Sequence, residues 1–517
     1  MPPSNLITGA ISIVLIAFLL SWRSVLLPSN PNIPPPVVGI NNTALFLVTS
    51  DYGLSNVHVA TAHALLERHP HIQLHFGSFA PMAPKLERVS SHNRRPHSKD
   101  IVFHQIKGLS VIDTCRAFGK KTSNSIHPPG WAGIGQLCKD MQLYVSPWTG
   151  EDHLNIYEQI KRIIDTVDPA VVVLDTPFRP AIDATRDMNR LHAIVSPNTL
   201  IESFPAEQPW GKMFWKYPAL GSGLPYPVPW RNIPENILLN FRFISAMMWM
   251  PEIKAKQAFL KSKGLSDPIN FLRLHRPDVP WLSQTMPGAS IPLDVVPQNV
   301  TCTGPMTLSL GSVADQDAEL ADWLKGSPTI LVNLGSAFEY SEARAIVMAQ
   351  ALAKVLQDTS FQILWKFRKE NDYGDQYMQP LIQFANAGRV MVERWLAADP
   401  PALLESGHII TSVHHGGSGC YHEALSAGVP QVISPQWLDL YGFARLSEYV
   451  GVGVWGCPET SPTWTSKCLY DAIRRVARSN ESLGFQEKAK EFGHLAQAKE
   501  GRHVAAREIA RLAASGA

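Results

Sequence analysis

Short apolar runs alternate with helical patterns along most of the chain. In its first part, runs typical of buried strands cover residues 44–50, 72–79, 170–175 and 193–195. Patterns with a helical period lie between them, at about 56–68 and 154–166. Strands that alternate with helices are typical of a parallel sheet with helices packed on its faces. We therefore predict an α/β domain over residues 40–310.

The same alternation starts again near residue 327. Strand-like runs cover residues 329–334, 361–367, 390–392, 408–413 and 431–434. Ser341 is placed to cap the helix that follows the first of them. The pattern predicts a second α/β domain over 327–481, after a linker over 311–326, and a final amphipathic helix over 482–517. Two Rossmann-like domains bind ligands at the carboxyl ends of their strands, so we expect the site in the cleft between them.

Residues 197–300 depart from this alternation because they are rich in Pro and Trp, and the stretch 236–250 is strongly apolar. One interpretation is a set of helices packed on the core. The other is a wall of a pocket for an apolar ligand, or a surface that dips into a bilayer. Both interpretations stay open at this stage.

The N-terminal residues 6–27 are largely apolar and include Arg23. Their length predicts a membrane anchor over 1–27, followed by a Pro-rich spacer over 28–39. A cleaved signal peptide and a mere apolar extension are the rival interpretations. We expect a single-pass membrane protein, with the endoplasmic reticulum as its membrane and its side left open. Three glycosylation sequons matter only if the main body is luminal: Asn41, Asn299 and Asn480.

Composition excludes several classes of protein. The 517 residues include 46 Lys and Arg against 44 Asp and Glu, so the net charge of +2 gives no field that would attract nucleic acid. The 17% of charged residues is too low for a disordered chain. Six cysteines without a CxxC pair argue against a disulfide scaffold and a zinc ribbon.

The most informative stretch runs from His414 to Tyr449. A predicted strand ends at residue 413, Gly416 and Gly417 follow, and a helix begins near Ser418. Glycines let a ligand approach the backbone, and a new helix presents free N–H groups that suit a diphosphate. His415 adds a side-chain donor there. The carboxylates of Glu423 and Asp439 are suited to the hydroxyl groups of a ribose and of a sugar.

Four other interpretations of these motifs are weaker. Zinc ligation by His414, His415, Cys420 and His422 lacks a second ligand pair at finger spacing. A hydrolase oxyanion loop needs a GxSxG elbow, which the chain lacks. The GxGxxG match at 451–456 follows a helix, which is the wrong order for a dinucleotide fingerprint. The DxD motif at 315–317 lies in a polar linker, which indicates a solvated helix cap.

Trp395, followed by HHGGxGxxHE and then by AGVPQVISPQWLD, resembles the donor-binding signature of the UDP-glycosyltransferases, most closely their fungal branch. The resemblance implies the GT-B fold, in which two Rossmann-like domains face a cleft, and a UDP-sugar bound without metal or cofactor. It implies that Trp395 stacks on uracil and that Glu423 binds the ribose. His415, Ser336 and the backbone of Gly417 and Ser418 would hold the diphosphate, and Asp439 the sugar.

The chain departs from the family pattern in the donor motif and at the catalytic base. Gly419-Cys420 replaces Asn-Ser, Ala397-Ala398 replaces Pro-Gln, and Leu440 stands where a Gln usually follows the acid. Relatives place a catalytic His near Leu54, oriented by an Asp that Asp175 matches. His58 and Asp51 are the nearest candidates for the base, and another arrangement stays open.

These observations predict an inverting glycosyltransferase. It would move a sugar, expected to be glucose, from a UDP-sugar to a hydroxyl of an apolar small molecule such as a terpenoid, polyketide, sterol or lipid. The expected partners are the UDP-sugar, this acceptor and a membrane contacted through the N-terminal segment, with no nucleic acid. The alternatives are a catalytically inactive nucleotide-sugar-binding protein, an NAD-dependent oxidoreductase, and a retaining or hydrolytic sugar enzyme.

Overall fold

The computed structural model describes residues 34–92, 99–120, 122–271 and 273–516. Two parallel sheets organise this part of the chain. The first sheet contains β1 (Ile40–Leu47), β2 (Gln73–Ser78), β3 (Val102–Gln105), β4 (Pro169–Leu174), β5 (His192–Ser196), β6 (Trp281–Ser283) and β7 (Val300–Cys302). The second contains β8 (Thr329–Asn333), β9 (Gln362–Lys366), β10 (Val390–Glu393), β11 (Ile409–His414), β12 (Gln431–Ile433) and β13 (Gly453–Trp455).

Both sheets have the same topology. The strand order is β3-β2-β1-β4-β5-β6-β7 in the first sheet and β10-β9-β8-β11-β12-β13 in the second. Every pairing is parallel, for example Phe46 with Val173 in the first sheet and Val413 with Val332 in the second. The order reverses beside β1 and β8, and loops that leave the carboxyl ends of the strands meet at such a switch point.

Helices cover the faces of both sheets. In the first half they are α1 (Tyr52–Arg68), α2 (Ala83–His92), α3 (Val111–Ala117), α4 (Ile134–Val145), α5 (Gly150–Val167), α6 (Arg179–Asp187), α7 (Leu200–Ser203), α8 (Lys212–Trp215), α9 (Ile233–Met248) and α10 (Pro251–Ser262). In the second half they are α11 (Val313–Gln316), α12 (Ala318–Leu324), α13 (Glu342–Asp358), α14 (Ile382–Asn386), α15 (Pro400–Glu405), α16 (Ser418–Ser426), α17 (Leu440–Val450), α18 (Ser466–Arg478), α19 (Ser482–Ala498) and α20 (Gly501–Ala513).

The strands that the apolar runs predict are present, with ends displaced by a few residues. β4 is buried along its whole length, as a strand with a helix layer on each face must be. β3, β6, β7 and β13 escape the sequence pattern because each has only three or four residues. β13 lies within the GxGxxG match at 451–456 and forms the last strand of the second sheet.

The predicted single helix over 482–517 is wrong, because the chain breaks between α19 and α20. A Cβ on Gly501 would lie 2.3 Å from the carbonyl oxygen of Gly304, so the chain turns here against a neighbouring backbone. α20 then packs on α1, β1 and β4. Ala505, Ala506 and Ile509 thereby join the core of the first sheet.

The proposed anchor over 1–27 lies outside the described residues. Among the helices that the structure describes, none combines the length and the apolar character of a bilayer span. One disulfide, between Cys457 and Cys468, joins the end of β13 to α18, and the four other cysteines are free. A single bridge of this kind is a local link and does not form a disulfide scaffold.

Candidate functional site

The loops of the second sheet that carry the predicted diphosphate-binding residues meet at its switch point. β8 and β11 pair side by side, with Asn333 opposite His414. The loop that carries Ser336 and the loop that carries His415 therefore leave the sheet next to each other. α16 begins directly after the second loop, so its N-terminus faces the same space.

The ring of His415 is held between two glycines. A Cβ on Gly335 would lie 2.5 Å from Cε1 of His415, and a Cβ on Gly417 would lie 2.6 Å from the same atom. Gly335 also has a φ of +87°, which side-chain-bearing residues rarely adopt. These positions need glycine because the imidazole fills the space that any larger residue would take.

His415 and α16 together present neutral hydrogen-bond donors. Burial, with smaller effects of His414 and Lys366, lowers the pKa of His415 to about 3, so the ring is neutral at physiological pH. Its Nδ1 makes no hydrogen bond to the described part of the chain. The N-cap of α16 is Gly417, which has no side chain to cap the first-turn N–H groups. These groups and the positive end of the helix dipole suit an anion.

His414 does not fit a zinc site. Ligand atoms of His414, His415 and Cys420 lie within 4.8 Å of one another. However, Nδ1 of His414 accepts a hydrogen bond from the N–H of Gly416 at 3.0 Å, and Nε2 donates to Oε1 of Gln431 at 2.9 Å. Both ring nitrogens are therefore used, and no lone pair is left for a metal.

Trp395 and Glu423 flank this loop. The ammonium group of Lys366 lies 3.9 Å from the centre of the Trp395 ring, and Tyr52 of the first domain contacts the same ring, with centroids 5.4 Å apart. Burial raises the pKa of Glu423 to about 7, although Lys85 acts in the opposite direction. An aromatic surface, cations and a carboxylate thus line one side of the cleft.

The side chain of Ser418 serves the contact between the domains. Its hydroxyl donates to the carbonyl oxygen of Pro197, and Nε2 of Gln284 donates to its Oγ at 2.8 Å. Ser418 therefore offers a ligand its backbone N–H, as the family resemblance implies. The guanidinium group of Arg368 donates a hydrogen bond to the carbonyl oxygen of Ser336. The hydroxyl of Ser336 makes no hydrogen bond that involves another described residue.

Asp439 is positioned by the first domain. The preceding Leu438 has a φ of +46°, and its N–H donates to Nε2 of His127 at 3.0 Å. The hydroxyl of Tyr441 donates to the carbonyl oxygen of His127. A non-glycine residue in the left-handed region is strained, and such strain persists only where neighbouring contacts hold it.

Glu202 lies near Asp439, on the opposite side of the cleft. It accepts hydrogen bonds from the hydroxyl and the N–H of Thr199, at 2.6 and 3.2 Å. Burial raises the pKa of Glu202, and the carboxyl group of Asp439 raises it further. Burial also raises the pKa of Asp439. Two carboxyl groups whose charges interact in this way resist being ionised at the same time.

His58 does not lie on the helix surface. Its side chain is fully buried on α1, and Nε2 lies 3.9 Å from Oδ1 of Asp175, which follows β4. This distance is too long for a hydrogen bond. Burial raises the pKa of Asp175, and the buried guanidinium of Arg179 lies close enough to interact with its charge. Leu54 stands one turn before His58 in the same helix and is partly buried.

Asp51 precedes α1 at the carboxyl end of β1 and is almost buried. It accepts hydrogen bonds from the hydroxyls of Thr49 at 2.6 Å and Ser110 at 2.9 Å, and from the N–H of Ile112 at 3.4 Å. Burial raises its pKa, and these three donors partly offset that effect. Asp51 and Tyr52 are neighbours, so the carboxyl group stands at the edge of the cleft.

The structure thus brings His415, Gly417, Ser418 and Ser336 together. Sequence reasoning missed Lys366, Glu202, His127 and Gln284. Lys366 is the last residue of β9, and residues at the carboxyl ends of parallel strands are the ones that line a cleft. The other three have no pattern of their own, because each acts from the first domain on a residue of the second that is distant in sequence.

Known proteins similar to this chain agree on its class. Residues 401–497 match the family model described as the C-terminal domain of erythromycin biosynthesis protein CIII-like proteins. Glycosyltransferase sdnJ of Sordaria araneosa is 33% identical over 452 residues, which cover 84% of this chain and 86% of that protein. A sterol 3-beta-glucosyltransferase of Komagataella phaffii is 39% identical over 101 residues, 20% of this chain and 8% of that protein.

Solved structures share the whole fold. A UDP-glucosyltransferase of Polygonum tinctorium superposes with a TM-score of 0.59 at 16% identity, over 94% of this chain and all of that one. Os79 of O. sativa, solved with U2F and a trichothecene, gives 0.60 at 15% identity, over 91% of this chain and 99% of that one. At these identities the likeness shows the architecture alone, with two Rossmann-like domains around a cleft.

Proposed function

The chain belongs to the UDP-glycosyltransferase family, and on that premise we propose that it transfers a sugar from a UDP-sugar to a hydroxyl of an apolar small molecule. The observation that supports this most directly is the site formed by His415, its two flanking glycines and the uncapped N-terminus of α16. A neutral imidazole and several free N–H groups aimed at one point suit a diphosphate that gains charge as it leaves.

The donor would lie across the edge of the second sheet. Its uracil would stack on the face of Trp395 that Lys366 leaves uncovered, and Glu423 would accept hydrogen bonds from the ribose hydroxyls. Asp439 would bind hydroxyls of the sugar, with Glu202 facing it from the first domain. Glucose is the sugar we propose, although Leu440 replaces the Gln that usually follows the acid.

Access for an acceptor hydroxyl favours Asp51 over His58 as the catalytic base. The side chain of His58 is fully buried, so an acceptor hydroxyl cannot reach either ring nitrogen without movement of the surrounding residues. Asp51 stands at the cleft with three hydrogen-bond donors, and a carboxylate with two oxygens retains room for one more. We propose that Asp51 accepts the acceptor's proton as its oxygen attacks the anomeric carbon, with inversion and departure of UDP.

An apolar acceptor is supported by the relatives and by the cleft. The sterol 3-beta-glucosyltransferases that are similar to part of this chain act on sterols by name, and a further relative from Humicola fuscoatra is named a terpene cyclase-glycosyl transferase fusion protein. The first domain supplies the partly exposed ring of Tyr144, whose hydroxyl is close enough to Asp439 for their charges to interact. We propose a terpenoid, polyketide or sterol alcohol as the acceptor class.

A thermal-shift experiment on the full chain tests the donor site. UDP at about 100 times its dissociation constant should stabilise the wild type by about 2.7 kcal/mol. His415→Ala should abolish most of this shift, while His408→Ala, at the opposite end of β11, should keep it. An unchanged shift in His415→Ala would refute the assigned diphosphate site.

Two matched variants test the base. Asp51→Asn should bind UDP-glucose normally but lose transfer to a hydroxyl acceptor by at least about 100-fold, because general-base catalysis contributes about that much. His58→Gln should lose much less. A larger loss of transfer in His58→Gln than in Asp51→Asn would instead assign the role of catalytic base to the His58–Asp175 pair. If the protein binds UDP but transfers sugar to no member of a broad acceptor panel, it is instead an inactive nucleotide-sugar-binding protein. The burial of His58 is the observation that motivates this alternative.

A further inference from the structure

The outer face of α9 has an unusual composition for a helix in contact with water. The positions that point outwards recur every three or four residues and include Arg231, just before the helix, then Leu238, Arg242 and Trp249, just after it. Trp230 and Trp249 flank the helix with 75% and 69% of their surface exposed. The single carboxylate of α9, that of Glu235 in the first turn, is partly buried and accepts a hydrogen bond from the side-chain amide of Asn232 at 3.2 Å, whereas the outer face of a soluble helix normally carries charges of both signs.

The inner face of α9 fixes this orientation. The side-chain amide of Asn236 donates to the carbonyl oxygens of Phe214 and Tyr217, and that of Asn240 donates to the carbonyl oxygen of Met213. Phe241 stacks on Phe214 with ring centroids 5.2 Å apart. The outer face cannot turn into the protein without breaking these contacts, so its exposure is built into the fold.

A neighbouring segment extends the exposed aromatic surface. α8 packs beside α9, and Trp210 and Trp215 lie exposed at its two ends. The indole N–H of Trp215 donates to the carbonyl oxygen of Trp210 at 3.0 Å, which holds the two residues together. Exposed Trp side chains with apolar rings and a polar N–H are typical of the boundary between lipid chains and headgroups.

The charge of this region is one-sided. Residues 210–263 contain eight Lys and Arg against two Asp and Glu, although the whole chain is nearly balanced. Lys212 and Lys216 are paired with Asp294, but Arg231 and Arg242 are exposed on the outer face itself. The guanidinium of Arg231 lies 5.3 Å from the centre of the Trp230 ring. A cation beside an apolar ring matches an anionic headgroup above acyl chains.

We propose that the outer face of α9 binds the surface of an anionic lipid bilayer, with Trp230 and Trp249 in the interfacial layer and Arg231 and Arg242 on the headgroups. This peripheral contact is separate from the N-terminal segment and does not depend on the proposed transferase activity. The charge selects lipid over a second copy of this chain, because two copies of a cationic face repel each other.

A local probe separates this contact from any binding by the N-terminal segment. In the full chain, an environment-sensitive fluorophore is attached to Trp249→Cys and, as a control, to Leu483→Cys, an exposed apolar position on α19. Vesicles with about 30% phosphatidylserine should shift the emission at position 249 to the blue and leave position 483 unchanged. Lipids that carry a quencher should quench only position 249.

Three outcomes with Arg231 and Arg242 in place would overturn the proposal. The first is no response at position 249 while the protein co-sediments with the vesicles. The second is an equal response with purely zwitterionic vesicles, and the third is a response to protein concentration without vesicles, which would indicate a second copy. With Arg231→Glu and Arg242→Glu combined, partition into the anionic vesicles measured by the same probe should weaken at least about tenfold. Unchanged partition would also overturn the proposal.

Discussion

At the scale of single residues, buried titratable groups surround the proposed donor site, and their pKa values predict how binding depends on pH. Burial raises the pKa of Glu423 to about 7 and lowers the pKa of Lys366 and of Lys85 to about 8. Asp399 also faces this group and raises the pKa of Glu423. His415, with a pKa of about 3, stays neutral throughout and adds no pH dependence of its own.

We expect the affinity for UDP-glucose to have a maximum between about pH 7 and 8. Glu423 accepts hydrogen bonds from a ribose only when ionised, so at pH 6 binding should be roughly five- to tenfold weaker. Above pH 8 the two lysines lose their charge and affinity falls again. Isothermal titration between pH 6 and 9 measures this profile. In Glu423→Gln the acidic limb should disappear, and its persistence would contradict the assignment.

At the scale of elements, the docking of α20 on α1 joins distant parts of the chain. His503 donates through Nε2 to Glu67 at 3.1 Å, and Arg502 lies 3.6 Å from the same carboxylate. Burial alone would raise the pKa of Glu67, but hydrogen bonds from His63 and His503 and the charge of Arg502 lower it to about 2. This cluster therefore adds stability that is present above about pH 4.5 and is lost as the pH falls towards 2.

Ala506→Glu should separate α20 from the first sheet. Ala506 is fully buried, and a carboxylate placed there without a partner should lower the free energy of unfolding by about 3 kcal/mol or more. Arg507→Glu, at the exposed neighbouring position, is the matched control and should cost less than about 0.5 kcal/mol. Hydrogen exchange should accelerate in β1 and β4 and stay slow in β8 and β11. Equal acceleration in both sheets would argue against a local effect.

At the scale of the whole molecule, the polar contacts that join the two domains across the cleft differ in how deeply they are buried. Arg88 makes two hydrogen bonds to Asp399, at 2.9 and 2.8 Å, but both residues are partly exposed, so this pair contributes little. Gln284 is buried and donates to the carbonyl oxygen of Pro197 at 2.6 Å as well as to Ser418. Loss of this buried amide removes the donor that Gln284 supplies to Oγ of Ser418 and leaves the carbonyl oxygen of Pro197 with only the Ser418 hydroxyl as a donor.

Gln284→Leu should therefore destabilise the protein by about 2 kcal/mol and weaken UDP binding, because Ser418 opens the helix that receives the diphosphate. Arg88→Met should cost at most about 1 kcal/mol. Urea unfolding and titration with UDP measure both effects. If Arg88→Met proved the more damaging change, the closed cleft would depend on its surface ion pair and not on the buried contact.

Sequence reasoning succeeded where one continuous stretch carries the information. The fungal UDP-glycosyltransferase resemblance is confirmed, and the long apolar strands of both sheets are present, because strand, glycine turn and helix follow one another around His415. It failed where distant residues meet. His127 holds Leu438, Glu202 faces Asp439, and Gln284 binds Ser418 across long separations, and no periodicity marks such pairs. Short strands such as β6 and β7 are defined by their neighbours in the sheet more than by their own residues.

The return of α20 to the first sheet also sets an order of events during synthesis. β1 and α1 leave the ribosome early, whereas α20, which covers part of the apolar face that contains Ala44 and Phe46, is made only after the whole second sheet. Until residues 501–513 emerge, that part of the face has no native partner, and nascent chains with such faces are prone to aggregate. The first half of this molecule is thus not a folding unit of continuous sequence, and fragments that stop before residue 501 should need a chaperone to stay in solution.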